Sequence, residues 1–314
     1  MVILDAYTSN PGDLNWNGLE NLGDLEVYDR TSSEEVPSRC SQAEVIFTNK
    51  VAIDESLLNA SPSLKYVGVL ATGVNIVDLD ACRKRGVVVT NVPAYSTESV
   101  AQLAIAHLLN LSNRVGQHAQ SVREGGWAKS EDFCYVLSPQ IELHGKTIGI
   151  IGLGQTGQSV ARIAKALGMR VIAHSRTPKN IDGIEEVSLS ELLRGSDVVS
   201  LHCPLTEATQ GLIDKDALHQ MKNSSFLLNM GRGPLVVEED LSHALSEGSI
   251  AGAGLDVLSL EPCEVDNPLT PLDNCHITPH IAWATCEARA RLIQVATANL
   301  EAFLKGKPVN VVNP

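Results

Sequence analysis

Short apolar runs alternate with stretches of helical periodicity along almost the whole chain. Over the first 93 residues, the runs at 2–4, 25–28, 45–48, 66–70 and 87–90 have the length and β-branched content of buried strands. Helical patterns at 33–40, 54–59 and 76–83 separate them. The same rhythm resumes after residue 146, with strand-like runs at 147–151, 170–174, 198–201, 226–229, 253–257 and 276–278. Between them, Val160, Ile163, Ala164 and Leu167 recur at helical spacing, Ser188 and Glu191 form a capping-box pattern, and a last helical pattern runs over about 284–304. Strands alternating with helices predict parallel sheets with helices on their faces, hence an α/β protein. From 97 to 123, Val100, Leu103, Ala104, His107, Leu108 and Leu111 share one face of a single long helix. Such a helix crosses between domains, packs on another subunit, or is a plain core helix. The polar stretch 125–145 reads as a loop, and the tail with Val311 and Val312 is expected to return to the first domain.

The run at 147–151 is followed by Gly152, Gly154 and Gly157 and then by a helix. Strand, G-x-G-x-x-G turn and helix are in the order of a dinucleotide-binding fold. Gly152 suits the tight turn, Gly154 lets the backbone approach a pyrophosphate, and Gly157 lets the helix pack closely. The free N–H groups of the first helical turn then face the phosphates. The first 93 residues carry no such fingerprint and read as a smaller α/β domain that presents a substrate.

Composition narrows the picture without changing it. The 314 residues are enough for two cores, and 44% hydrophobic with 19% charged residues is ordinary for a globular protein. A formal net charge of −13, with Arg83-Lys84-Arg85 as the one basic cluster, argues against nucleic acid or an anionic membrane as partner. No apolar run approaches the roughly 20 residues of a membrane span, and the start lacks a signal-peptide pattern. Seven scattered cysteines without a C-x-x-C pair suggest reduced thiols, no zinc site and a cytoplasmic protein.

Ligands of open α/β sheets sit outside the carboxyl ends of the strands, so the residues there come first as site candidates. After the glycine turn these are His202-Cys203-Pro204, Met230-Gly231-Arg232-Gly233, Asp256 and Pro279-His280. Arg232, Glu261 and His280 each have a bland alternative as a surface or solvated residue. Together they supply what reduction of a 2-keto acid requires. A guanidinium holds the carboxylate and polarises the carbonyl. A histidine gives the proton, and a carboxylate orients that histidine and stabilises its charged form.

With those residues in view, the chain resembles the D-isomer-specific 2-hydroxyacid dehydrogenases over essentially its whole length. The motifs are Gly152-Leu-Gly-Gln-Thr-Gly157, Leu201-His-Cys-Pro-Leu-Thr206, Asn229-Met-Gly-Arg-Gly233, Gly254-Leu-Asp-Val257 with Glu261-Pro262, and Thr278-Pro-His-Ile-Ala-Trp283. The resemblance implies two Rossmann-like or flavodoxin-like domains, each with a mainly parallel sheet flanked by helices, and an active site in the cleft between them. It implies a substrate domain of 1–96 plus 285–314 and a dinucleotide-binding domain of 97–284, which corrects the linear division drawn from periodicity. It assigns Arg232, Glu261 and His280 as catalytic residues. Cofactor contacts fall on Gly152, Gly154, Gln155, Thr156, Gly157, Ser175, Arg176, Thr177, Cys203, Pro204, Met230, Asp256, His280 and Ala282. Asp256 matches the acid that contacts the nicotinamide amide, and Cys203 and Pro204 match the loop on the adenosine side. A homodimer built on the 97–123 helix is implied as well.

The segments 68–78, 99–102 and 280–283 look most like the glycerate dehydrogenase and hydroxypyruvate (glyoxylate) reductase branch. In that branch Ala71, Thr72, Gly73 and Val74 receive the substrate carboxylate, with Arg232 and Trp283 at the same substrate. Lys50, at the end of a strand, either approaches its far end or faces solvent. Phosphoglycerate dehydrogenase is the alternative within the family, and a non-catalytic NAD(H)-sensing protein of the same fold is the alternative outside enzymes. For the cofactor, NAD-specific folds place an acid roughly 20 residues beyond the glycine turn. Here Ser175 stands 23 positions beyond Gly152, followed by Arg176 and Thr177. Serine does not repel a 2′-phosphate and arginine attracts one, so NADP(H) is favoured, with NAD(H) the alternative if this is a solvated turn.

Overall fold

The structure, a computed structural model, describes all residues from Met1 to Pro314. The chain forms two compact units, residues 1–96 with 283–314 and residues 97–282. The return to the first unit therefore falls at Trp283 instead of residue 285.

The first unit begins with β1 (Val2–Ile3), α1 (Asn17–Glu20), β2 (Glu26–Val27), α2 (Val36–Cys40), β3 (Val45–Thr48), α3 (Glu55–Ala60), β4 (Tyr66–Val69), α4 (Leu79–Lys84) and β5 (Val88–Thr90). The five strands make one parallel sheet in the order β2-β1-β3-β4-β5. β3 and β4 are buried throughout, which is why their sequence shows continuous apolar runs instead of alternation. Asp54 and Asp78 cap α3 and α4 by accepting the backbone N–H of the third helical residue.

The second unit opens with two helices, α5 (Thr97–Asn113) and α6 (Val115–Arg123), where one was expected over 97–123. Arg114 breaks the run in the left-handed region at φ 46°. The reason is packing: α5 buries eight residues ending at Ser112, whereas α6 buries none, so no apolar face holds the axis straight. The Asn113 side chain also turns back onto the Leu109 carbonyl. The chain continues through β6 (Thr147–Ile151), α7 (Gln155–Ala166), β7 (Arg170–His174), β8 (Glu185–Glu186), α8 (Leu189–Gly195) and β9 (Val198–Leu201). It closes with α9 (Lys215–Gln220), β10 (Phe226–Asn229), α10 (Glu238–Ser246), β11 (Gly252–Leu255) and β12 (Cys275–Ile277). The seven strands are all parallel, in the order β12-β11-β10-β9-β6-β7-β8.

β6 lies between β7 and β9, so the order of connection reverses there, and the crevice for a ligand opens at the carboxyl ends of β6 and β9. α8 begins with the expected capping box of Ser188 and Glu191. The sequence reading left α9 and α10 unplaced, although Asp214 caps α9 and Leu241, Ala244 and Leu245 form the buried stripe of α10. Both are too short for periodicity to stand out from the neighbouring loops.

α11 (Cys286–Leu304) returns to the first unit, capped by Thr285. Its Ala288, Leu292, Ala296 and Leu300 are buried with Phe47, Tyr66 and Leu70. Fully burying a leucine contributes about 1.5–3 kcal/mol, so this one stripe fastens the C-terminal segment to the sheet. The tail then covers the edge of β5. Val312 N–H donates to the Val89 carbonyl at 2.9 Å, and the Asn313 amide bonds the Val89 N–H and the Val87 carbonyl, each at 2.8 Å. The tail thus satisfies an edge that would otherwise stay open.

Candidate active site

The glycine turn is built as its spacing requires. Gly152 has φ +96°, and a Cβ there would lie 2.5 Å from the Cys203 nitrogen, so the turn after β6 lies directly against the loop after β9. A Cβ on Gly157 would meet the Gly152 carbonyl oxygen at 2.2 Å, which fixes the start of α7 on the turn. Gly154 is the N-cap, exposed, with nothing within 4 Å of a Cβ, and no side chain caps the helix. The first-turn N–H groups at Gln155, Thr156 and Gly157 have no intrahelical acceptors, and the positive end of the helix dipole adds to their pull. The cradle fits a pyrophosphate. Ser175 sits at the end of β7, its Oγ accepting the Leu153 N–H at 3.3 Å, which leaves the hydroxyl proton free to be donated. Arg176 and Thr177 are exposed beside it, Pro204 is exposed beyond β9, and Met230 is buried after β10. These groups can hold a nicotinamide dinucleotide.

The candidate catalytic residues occupy three loops, those after β10, β11 and β12. Arg232 follows β10 on a turn shaped by the buried Asn229 side chain. That side chain accepts the Gly231 N–H at 3.0 Å and donates to the Arg232 carbonyl at 2.9 Å. The guanidinium is exposed and donates to the Gly231 carbonyl at 2.8 Å, so its remaining N–H groups point outward. A Cβ on Gly233 would fall 1.9 Å from the Leu258 carbonyl carbon, so this turn packs on the segment that leads to Glu261. Glu261 accepts the Leu258 N–H through Oε1 at 3.1 Å and meets His280 Nδ1 through Oε2 at 2.6 Å. The imidazole and carboxylate are each about one-third exposed.

His280 itself has φ +52°, a left-handed conformation uncommon for a residue with a Cβ. Asp256, buried immediately after β11, imposes it. Its carbonyl accepts the His280 N–H at 2.9 Å, Oδ1 accepts the Ile281 N–H at 2.9 Å and the Thr278 hydroxyl at 2.7 Å, and Oδ2 accepts the Ala282 N–H at 2.8 Å. Burial raises the Asp256 carboxyl above the usual carboxylate range, and the hydroxyl and two N–H groups work against that shift. Asp256 therefore organises the histidine loop. Sequence reasoning gave it a cofactor contact and missed this function, as it missed Asn229, although both lie inside motifs already singled out.

The remaining candidates belong to the first unit. Lys50 follows β3 with an exposed side chain, and its N–H is held by Asp5 Oδ2 at 2.5 Å, as are those of Asn49 by Oδ1 and Val51 by Oδ2. The turn Ala71, Thr72, Gly73 and Val74 follows β4. It is tied by the Thr72 hydroxyl to the Val92 carbonyl at 2.9 Å and by the Asn91 amide to the Thr72 carbonyl at 2.7 Å. Trp283 is half-buried, edge-on to Tyr95 at 6.3 Å.

The chain is similar to known proteins. Residues 105–282 match the family described as D-isomer specific 2-hydroxyacid dehydrogenase, NAD binding domain. A hydroxypyruvate reductase of Blautia hydrogenotrophica is 50% identical over 100% of this chain and 99% of its own. A glycerate dehydrogenase of Methylorubrum extorquens is 41% identical over 92% of each chain. A crystal structure of a Thermus thermophilus protein superposes with a TM-score of 0.89 at 38% identity, covering 99% of both chains. The chain therefore belongs to the D-isomer-specific 2-hydroxyacid dehydrogenases, nicotinamide-dependent oxidoreductases.

Proposed function

We propose that the chain reduces hydroxypyruvate or glyoxylate, reversibly, to D-glycerate or glycolate. The observation that carries the mechanism is the 2.6 Å bond between His280 Nδ1 and Glu261. It commits Nδ1 to the carboxylate and leaves Nε2 as the atom that exchanges a proton with substrate. Glu261, bonded to Nδ1, fixes the orientation of the ring. When bound, a reduced nicotinamide supplies hydride to the keto carbon. His280 Nε2 gives the proton to the carbonyl oxygen, and Arg232 holds the substrate carboxylate and polarises that carbonyl. Within the first unit, the N–H groups at Ala71 to Val74, Lys50 and Trp283 are the proposed substrate contacts. The small substrates are supported by the names of the two similar proteins and by the segments at 68–78 and 280–283. The test is kcat/KM over hydroxypyruvate, glyoxylate, pyruvate, a phosphorylated keto acid and a branched one. The first two should lead by about tenfold or more. Preference for the branched or phosphorylated acid refutes the assignment.

NADPH is the proposed cofactor. Ser175 keeps a donatable hydroxyl at the place of the ribose-binding acid, and Arg176 and Thr177 are exposed next to it. Ser175→Asp/Arg176→Ala should move the NADPH-to-NADH ratio of kcat/KM toward NADH by about tenfold or more, since a charge-assisted contact is lost and a repulsion gained. An unchanged ratio, or an unmodified protein that favours NADH, refutes this. We also propose a homodimer through the α5–α6 region. α6 buries nothing, and Val115, Trp127, Phe133 and Val136 are exposed, Phe133 at 89%. Light scattering should give a dimer mass, and Phe133→Asp should shift it toward monomer. Seven unpaired cysteines favour a reducing, cytoplasmic setting.

A further inference from the structure

His107 lies in the middle of α5, 5% exposed, well removed in sequence from every residue of the site. β11 makes room for it: a Cβ on Gly254 would come within 2.8 Å of the His107 Cβ. Its Nε2 lies 3.0 Å from the Thr278 hydroxyl, and that hydroxyl lies 2.7 Å from Asp256 Oδ1. A threonine has one hydroxyl proton. Were it turned to His107, two lone pairs would face each other across 2.7 Å at the carboxylate, so the proton goes to Asp256. The hydroxyl oxygen is then an acceptor, and His107 is the donor, in its Nε2–H tautomer. Burial first, and His276 second, hold the His107 ring down to about 4, which keeps it neutral and able to donate a single N–H.

The direction of donation is therefore fixed along the whole chain, from His107 to Thr278 to Asp256. At its end, the Asp256 carboxylate accepts the Ile281 and Ala282 N–H groups and sets the left-handed backbone of His280. A carboxylate holding a loop in a sparsely populated conformation needs its own rotation fixed. Ile281 and Ala282 cannot do this alone, because they belong to the loop being held. Thr278 precedes the same loop, and its hydroxyl could rotate toward the Leu255 carbonyl at 3.5 Å. The anchor that does not belong to the loop is the histidine on α5.

We propose that His107 is a positioning residue. Through the Thr278 hydroxyl it fixes the Asp256 carboxylate and so holds His280 in the conformation that presents its Nε2 to the substrate. The proposal rests on the reading of His280 as proton donor and adds to it the α5 residue on which that geometry depends. His107→Gln and Thr278→Ser keep a donor and a hydroxyl, respectively. His107→Leu and Thr278→Val remove them at similar volume.

The experiment uses the full chain. It measures hydroxypyruvate reduction, NADPH binding by fluorescence, and the ring 1H–15N signals of His280, assigned by loss in His280→Asn. His107→Leu and Thr278→Val should each lower kcat about tenfold, while KM and NADPH affinity stay within about twofold. The His280 signals should move in both. His107→Gln and Thr278→Ser should recover most of the loss, and the double Leu/Val variant should be no worse than the poorer single, because both act on one chain. If His107→Leu unfolds, Thr278→Val against Thr278→Ser and His107→Gln decides. The proposal is overturned if a folded His107→Leu keeps kcat and the His280 signals, or if the losses multiply in the double variant. Should the unmodified protein reduce no keto acid, the functional reading fails, and the His280 signals still decide the structural one.

Discussion

Each unit has an aspartate just beyond a strand whose carboxylate gathers a loop. In the first unit Asp5 follows β1 and takes the N–H groups of Asn49, Lys50 and Val51. In the second unit Asp256 follows β11 and takes those of Ile281 and Ala282 with the Thr278 hydroxyl. The device is the same and the payload differs. The loop at Asp5 carries one exposed lysine, Lys50. The loop at Asp256 carries an imidazole already paired to a carboxylate. All nine histidines of the chain lie between residues 97 and 282, and none in the first unit. On the proposed reading, the proton-donating histidine and its carboxylate partner belong to the second unit, and the first unit supplies substrate contacts alone. The division follows from what stands at the strand ends, since the fold alone does not set function.

The sharpest test of that division is His280 against Lys50. His280→Asn keeps a polar group of similar size and removes the exchangeable proton, so kcat should fall by about 10²–10⁴ with NADPH binding retained. Arg232→Ala should raise the keto-acid KM and lower kcat together, with lysine recovering only part, because a point charge does not match a bidentate fork. Lys50→Ala, in the other unit, should raise KM a few-fold and leave kcat alone. Steady-state kinetics on the three variants decide it. A kcat loss in Lys50→Ala comparable to that in His280→Asn would break the comparison.

Acid should also distinguish the units. Burial pushes His107 down to about 4 and His202, which also bonds Ser200, down to about 4. Their ordinary value is 6.5, so between pH 6.5 and 4 the unfolded chain binds more protons than the folded one. Stability from these groups is complete above about pH 6.5 and falls as pH drops toward 4. For the nearly enclosed His107 the loss amounts to about 1.4 kcal/mol per pH unit. Urea unfolding at pH 7 and pH 5 should show the decrease, and amide exchange, corrected for its intrinsic rate, should quicken in α5 and β9 more than in β3 and β4. Equal acceleration in both units would mean that the buried histidines are not its source.

Much of this was legible in the sequence because it rests on local chemistry. β3, β6, β7, β9 and β10 have the bounds their apolar runs predict, and the glycine spacing foretold both the turn at Gly152 and the seating of α7. The pairing of Glu261 with His280 was foreseen from the needs of the reaction. What sequence did not disclose is non-local. The break at Arg114 depends on where packing against β10 and β11 ends, and short helices such as α9 lack the length for periodicity. The work of Asp256 depends on bonds to residues 22 to 26 positions away. A residue type shows that a carboxylate is present, but only the fold shows which donors reach it.

The two aspartates supply the smallest and most discriminating effect. Replacing either by asparagine keeps the shape and substitutes an NH2 for one acceptor oxygen, so at least one backbone N–H loses its partner. The cost should be about 1–3 kcal/mol at each site. If the payloads differ as described, equal losses of stability should have unequal consequences. In Asp256→Asn the Ala282 N–H faces the new amide, the left-handed backbone of His280 loses support, and kcat should fall about tenfold or more. In Asp5→Asn the loop at Lys50 loosens, and the change should appear as a modest rise in KM with kcat nearly kept. Chemical denaturation read beside steady-state kinetics separates the two quantities. If Asp5→Asn lowers kcat as much as Asp256→Asn at the same loss of stability, both carboxylates are general supports of the fold, and the assignment of proton chemistry to one unit alone would have to be given up.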